Sequence, residues 1–286
     1  MTISTLSAPP SPWPKHKRVL PGFGLTVGLT LTYVSFLVLV PLVALFAKAT
    51  GVGWSDLVTE LSSARTLAAF RVTFGLSALA ALLNGVIGLL LAWVLVRYEF
   101  PGRKLMDAVI DLPFALPTAV AGITLASLYS DSGWLGALLL PLGIEVAFRP
   151  AGIFVALVFI GLPFVVRTLQ PLLADLDRAM EEAAWTLGAT RPQTFLRVIL
   201  PPLLPGLLTG MALAFARAVG EYGSVIFIAG NMPGVSEILP LLIVIKLEQY
   251  NYVGAAAIAC AMLVASFVIL LVINLIERWT RRYHGG

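Results

Sequence analysis

The sequence predicts an all-α membrane protein with six transmembrane helices. Composition is the first ground for this: 59% of the 286 residues are hydrophobic and only 12% are charged. So large an apolar surplus needs lipid as solvent for much of the surface. The second ground is a series of apolar runs, several of which reach the roughly 20 residues a spanning helix requires. The third is the placement of Lys and Arg beside those runs, as in the positive-inside rule. The same placement argues against a nucleic-acid partner, despite a net charge of +4.

Several chemistries are excluded at once. Cys260 is the single cysteine, so no internal disulfide or cysteine metal cluster can form. His16 and His284 both lie in terminal tails, and no HExxH, P-loop, GxSxG or GxGxxG pattern occurs. The chain therefore carries no catalytic set, binds no metal or cofactor and does not itself hydrolyse ATP. A membrane-embedded enzyme is disfavoured for the same reason.

In chain order, residues 1–18 are rich in Ser, Pro and Thr, end in Lys15-His16-Lys17-Arg18, and read as a disordered cytoplasmic tail. Gly22 to Ala47 follows as the first span. Ala47-Lys48-Ala49 imitates a signal-peptide cleavage site, but the apolar run is too long for a signal peptide. After an outer stretch with Trp54 and Asp56, the second span runs from Val72 to Val96 and is closed by the basic inner turn Arg97–Lys104. The third, Leu105 to Tyr129, carries Asp107 and Asp111 near its inner end and Pro113 and Pro117 within it. Such prolines are tolerated only where protein or a wet cavity satisfies the freed backbone.

An outer connection from Ser130 to Pro150 includes a short apolar stretch, Leu135–Leu142, that cannot span. The fourth span is Ala151 to Val166. The fifth, Leu207 to Ile228, is flanked and filled by Gly206, Gly210, Ala214 and Ala218 at four-residue spacing, which permits close helix approach. Leu241–Tyr250 reads as an interfacial helix on the outer side, and Val253 to Ile276 is the sixth span. The domain reading is a tail at 1–18, an added first helix with its outer loop at 19–65, a permease domain at 66–276 and a cytoplasmic tail at 277–286.

Counting the cations supports this topology. Lys15, Lys17, Arg18, Arg97, Arg103, Lys104, Arg167, Arg178, Arg191, Arg197, Arg278, Arg281 and Arg282 fall on inner segments, thirteen in all. Lys48, Arg65, Arg71, Arg149 and Lys246 fall on outer ones, five in all. Both termini are therefore expected in the cytoplasm.

Between the fourth and fifth spans lies a polar island, DRAMEEAAWTLGATRPQTFLRVILPPLLPG, from Asp177 to Gly206. It reads as two short helices joined by a turn. Asp177 caps the first, with Glu181 and Glu182 in its early turns where the macrodipole favours negative charge. Gly188 ends it in the left-handed conformation. Thr190 and Gln193 fit a capping box for the second, and Pro201, Pro202 and Pro205 are expected to stop that helix. Ala183 and Ala184 present almost no side chain, so another surface can come close.

Glu182-Ala183-Ala184, Gly188, Val198, Leu200 and Pro201 together resemble the EAA loop of ABC importer permeases. That resemblance implies the type I importer permease fold, with this cytoplasmic loop docking into a separate ATPase subunit that carries ATP and Mg. Three further stretches, Asp111–Gly122, Pro163–Pro171 and Ala216–Pro233, resemble the T/U-type permease subunits of sulfate/thiosulfate importers. The implied partners are a homologous W-type permease, two ATPase subunits and a periplasmic or surface-tethered binding protein, in a bacterial plasma membrane. Molybdate and tungstate permeases share the loop and are the near alternative.

Two sets of ionisable groups bear on transport. Arg217 and Glu221 stand one turn apart in the fifth span, either offering positive potential to a passing anion or forming a structural ion pair. With Pro113 and Pro117 they are the candidate pathway residues. Asp107 and Asp111 share a face. They would form a cation site or proton relay in an ion-coupled secondary transporter, or else pair with basic residues near the inner interface.

Overall fold

The structure, a computed structural model, describes residues 23–51 and 53–284. The expected N-terminal tail, with Lys15, His16, Lys17 and Arg18, lies outside the described residues. The side chains of Arg278, Arg281 and Arg282 in the expected C-terminal tail do so too, although the backbone there is helical. The chain divides into one unit ending at Ala47 and a second beginning at Lys48.

The first unit holds all but the last three residues of α1 (Phe23–Thr50), a continuous helix across Pro41. Apolar side chains along it, such as Leu29 and Phe36, are exposed, as a lipid-facing helix requires.

The second unit opens with α2 (Trp54–Ser62). Ser63 then caps α3 (Ala64–Arg97), its hydroxyl accepting the Thr66 N–H at 3.2 Å. Beyond the turn at Gly102 come α4 (Arg103–Ile110), α5 (Leu112–Ala115) and α6 (Thr118–Tyr129). Next are α7 (Trp134–Leu139) and the long α8 (Pro150–Asp175). The polar island supplies α9 (Arg178–Thr186), α10 (Arg191–Thr194) and a π-helical turn, Phe195–Ile199, that leads directly into α11 (Leu200–Val219). Then follow α12 (Val225–Ile228), α13 (Leu239–Glu248) and α14 (Tyr252–His284). No strand occurs among the described residues.

Among the described residues, five helical stretches are long and apolar enough to cross a membrane: Gly24–Lys48, Ala64–Arg97, Pro150–Asp175, Arg191–Val219 and Tyr252–Glu277. The expected third span is different. Residues 103–129 form three short helices: Pro113 is taken up in the first turn of α5, whereas Pro117 drives the residue before it out of the helical region. Leu116, ahead of Pro117, is extended at ψ 136°. The expected fifth span is likewise interrupted after Val219 and resumes only at Val225. Conversely, α8 continues past Val166 through Pro171 to Asp175.

The core is the mutual packing of α3, α8 and α11. At one end Leu95 of α3 meets Val165, Val166, Leu169 and Leu173 of α8 and Leu203 of α11. At the other, Ala80, Ile153, Ala156 and Ala218 close around Val225 and Ile228 of α12. The expected small-residue row on α11 is buried throughout, from Gly206 to Ala218. A Cβ on Gly210 would stand 3.0 Å from the Val165 Cα, so the two helices approach backbone to backbone.

Here α13 departs from expectation. Its first turn is held within the protein, with Leu239, Leu241 and Leu242 buried and the Leu239 N–H donating to Thr73 Oγ1 of α3 at 2.8 Å, while Leu247 and Tyr250 at its far end are exposed. Leu239 and Leu242 pack with Ala69 of α3 and Ile258 of α14.

The close approach of α6 to the Ser224 backbone makes a stability prediction. A Cβ on Gly122 of α6 would fall 2.3 Å from the Ser224 backbone oxygen, whereas one on Gly75 of α3 meets nothing within 4 Å. Gly122→Val is expected to destabilise the solubilised protein by about 1–3 kcal/mol, while Gly75→Ala leaves it unchanged or slightly stabilised. Thermal unfolding followed by size-exclusion chromatography measures both.

Candidate functional site

The hairpin between α8 and α11 is built by local hydrogen bonding. Asp177 Oδ1 accepts the Ala179 N–H at 2.9 Å and so caps α9. At the other end Gly188 takes φ 81°. Its N–H reaches the Trp185 carbonyl at 2.9 Å, and the Ala189 N–H reaches that of Ala184 at 3.0 Å. These two bonds make a Schellman closure, in which a glycine carries the left-handed residue without strain. Across the turn Gln193 Oε1 accepts the Thr190 N–H at 2.9 Å, fixing the start of α10.

The prolines after α10 do not stop the helix. Pro201 and Pro202 occupy the first turn of α11, and Pro205 lies inside it. A missing N–H costs little in a first turn. The preceding residues widen into the π-turn, where the Leu200 N–H bonds the Phe195 carbonyl, five residues back. Val198 sits within that turn, and Leu200 and Pro201 begin α11. The hairpin is thus continuous with a spanning helix rather than hinged off it.

On α9 the small side chain of Ala183 is exposed beside Glu182, and Ala184 is half-buried. Met180 and Trp185 are exposed, and Leu187, at the helix end, is 88% exposed. Apolar side chains are thus displayed on a charged loop outside the candidate spans.

The candidate pathway residues lie where two helices are broken. After α11 ends, Glu221 turns back so that Oε2 stands 2.5 Å from Arg217 Nη1. Its Oε1 accepts both the N–H and the hydroxyl of Ser224 at 2.9 Å. The carboxylate is 2% exposed and saturated, whereas the Arg217 side chain is 36% exposed. Arg217 is the open member of the pair. The break at Gly220–Ser224 rests against the start of α6: a Cβ on Gly223 would meet Thr118 Oγ1 at 2.3 Å. Pro117, the residue before α6, is therefore brought close to the Glu221 segment. Pro113 is held elsewhere, in α5, where its neighbour Phe114 packs edge-on to Phe164 of α8.

Asp107 and Asp111 form no vacant acidic site. Arg167 of α8 clasps both, with Nη1 2.7 Å from Asp107 Oδ1 and Nε 2.8 Å from Asp111 Oδ1. Gln170 adds a bond to Asp107 Oδ1 at 2.9 Å. Their partner comes from a spanning helix rather than from a neighbouring loop.

Two features escaped sequence reasoning. Asn84 is fully buried in α3 against Gly161 of α8, with neither side-chain atom hydrogen-bonded. An asparagine amid an apolar run was the available signal. Arg97, read only as part of a basic turn, forms an ion pair with Glu181 of α9. Nothing in the spacing of those two residues announces it.

Comparison with known proteins gives a consistent set. Residues 84–282 match the profile described as "Binding-protein-dependent transport system inner membrane component". The sulfate transport system permease protein CysT of Synechococcus elongatus is 52% identical over 256 residues, covering 90% of this chain and 92% of that one. The protein of the same name in Escherichia coli is 48% identical over 270 residues, covering 94% and 98%. Among solved structures, a bacterial ABC transporter involved in the import of the acidic polysaccharide alginate superposes with a TM-score of 0.74. It covers 90% of this chain and 96% of that one at 20% identity, a likeness of fold.

The buried pair supplies a second prediction. Removing one charge leaves the other uncompensated, so Arg217→Gln and Glu221→Gln are each expected to cost more stability than the double variant, by about 1 kcal/mol or more. A double-mutant cycle on thermal unfolding measures this coupling.

Proposed function

The chain belongs to the family of binding-protein-dependent transport system inner membrane components, and on that premise we propose that it is the membrane permease subunit of an ATP-driven importer of sulfate or thiosulfate. It is a transport component and not itself a catalyst. A separate ATPase, carrying ATP and Mg, docks on α9. A homologous W-type permease pairs with this chain, a second ATPase serves that partner, and a binding protein delivers the oxyanion from the far side.

The observation that carries this reading is the capped, solvent-exposed α9, continuous through the π-turn with α11. A stand-alone carrier has no use for such a hairpin. The names of the curated relatives support sulfate as cargo. Arg217 and Glu221, with the breaks at Pro113 and Pro117, are assigned to the pathway. Arg217 supplies positive potential without closing a tight site, which suits a path that must release its anion. Arg167 pairs with both Asp107 and Asp111, which speaks against an acidic site left free for ion-coupled transport.

Docking is tested on the hairpin. Gly188→Val forces a β-branched residue into the left-handed region, at a cost of about 1–2 kcal/mol. Glu182→Lys puts positive charge near the N-terminal end of α9. Both variants are expected to insert normally but to retain less ATPase on co-purification and to lose stimulation of ATP hydrolysis by the loaded binding protein. Full retention of both properties would reduce the hairpin to a connector.

Orientation is tested separately. Ser62 and Thr190 are both exposed. In a Cys260→Ala background, Ser62→Cys is expected to react with an impermeant thiol reagent on intact cells, and Thr190→Cys only after permeabilisation. Ser236, on the same outer side, is buried and would be a poor reporter.

A further inference from the structure

Arg97 is the last residue of α3, and Glu181 lies in the first turn of α9. The Arg97 Nη2 and Glu181 Oε1 atoms stand 2.7 Å apart, with side chains only 10% and 13% exposed. The Arg97 guanidinium also lies 5.5 Å from the centroid of Trp93, one turn earlier on α3. Trp93 in turn meets Phe195, the first residue of the π-turn, edge-on at 5.7 Å. Both arms of the hairpin are therefore fastened to the same end of α3, one by charge and one by aromatic packing. Otherwise α9 is held chiefly by α10 and the π-turn.

The ion pair is not locked by aligned hydrogen bonds. Arg97 Nε and Nη2 and Glu181 Oε1 are buried without a hydrogen-bond partner. A partly buried charge pair resists separation, is weakly screened, and tolerates a change of angle. Those are the properties of a linkage that pulls while its two elements rotate.

We infer that Arg97 is a positioning residue for energy coupling. It ties α9 to the inner end of α3, so that a displacement of the hairpin is delivered to α3 as well as to α11. This rests on the reading that an ATPase docks on α9. Alternating access requires the packed helices to move together. Driving α11 alone would shear it along α3 and α8, and the Arg97–Glu181 pair adds the second point of drive.

The test uses the full transporter complex in proteoliposomes and reads the sulfate moved per ATP hydrolysed. Arg97→Gln and Glu181→Gln are each expected to lower that ratio about tenfold, and the exchange Arg97→Glu with Glu181→Arg to restore it to within about threefold. A merely structural role would reduce the amount of assembled complex and lower both rates together, leaving the ratio unchanged. If Arg97→Gln fails to assemble, Glu181→Gln, which alters only the hairpin, decides the matter. An unchanged ratio, or an exchange no better than the single variants, overturns the inference. If the unaltered complex binds no ATPase through α9, the docking reading falls and this inference with it; if it does bind, an unchanged ratio removes only the role of Arg97.

Discussion

Close packing at glycines among α3, α8 and α11 is the constraint on which the rest of the structure depends. In lipid there is little hydrophobic gain in bringing apolar helices together, so association relies on close van der Waals fit. Gly210 brings α11 against the Val165 backbone, and Gly88 of α3 makes room for the Val165 side chain, so α8 sits close to both neighbours. A bundle packed this closely moves as a body or along discrete seams, not by continuous deformation. On the proposed function, that property carries a displacement of the hairpin at one end to the pathway at the other.

The two broken helices follow from the same logic. Backbone groups released at Leu116–Pro117 and at Gly220–Ser224 would be costly in lipid. Each break instead faces the other, and Glu221 spends its carboxylate on the Ser224 N–H and hydroxyl and on Arg217. The polar part of the membrane region is therefore concentrated where helices are interrupted. Arg217, the open charge of that cluster, belongs to α11, the helix continuous with the hairpin. One element thus joins the docking surface to the charge assigned to the anion.

Most of the hairpin was legible in the sequence because its determinants act within a few residues. The cap by Asp177, the left-handed Gly188 and the bond from Thr190 to Gln193 need no tertiary information. The buried row from Gly206 to Ala218 was legible for a similar reason, being a helical period of small residues. Pro201 and Pro202 were misread as a stop, since the same prolines can end one helix or begin another, and only the π-turn before them resolves which. Arg167 with Asp107 and Asp111, and Arg97 with Glu181, join elements distant in the chain. Their pairing depends on how α8 and α9 are placed, which no local pattern encodes. The burial of α13 was missed because an apolar run of ten residues suits an interface or a core equally well.

The assignment is tested most directly by uptake of radiolabelled sulfate into proteoliposomes holding this chain, its partner permease and the ATPase. Sulfate-loaded binding protein is placed on one side, and ATP on the side of α9. Uptake is expected only when both are present, and it is expected to persist when ion gradients are collapsed. Sulfate accumulation without ATP, driven by an imposed proton or sodium gradient, would contradict an ATP-driven permease and mark the chain as an ion-coupled carrier.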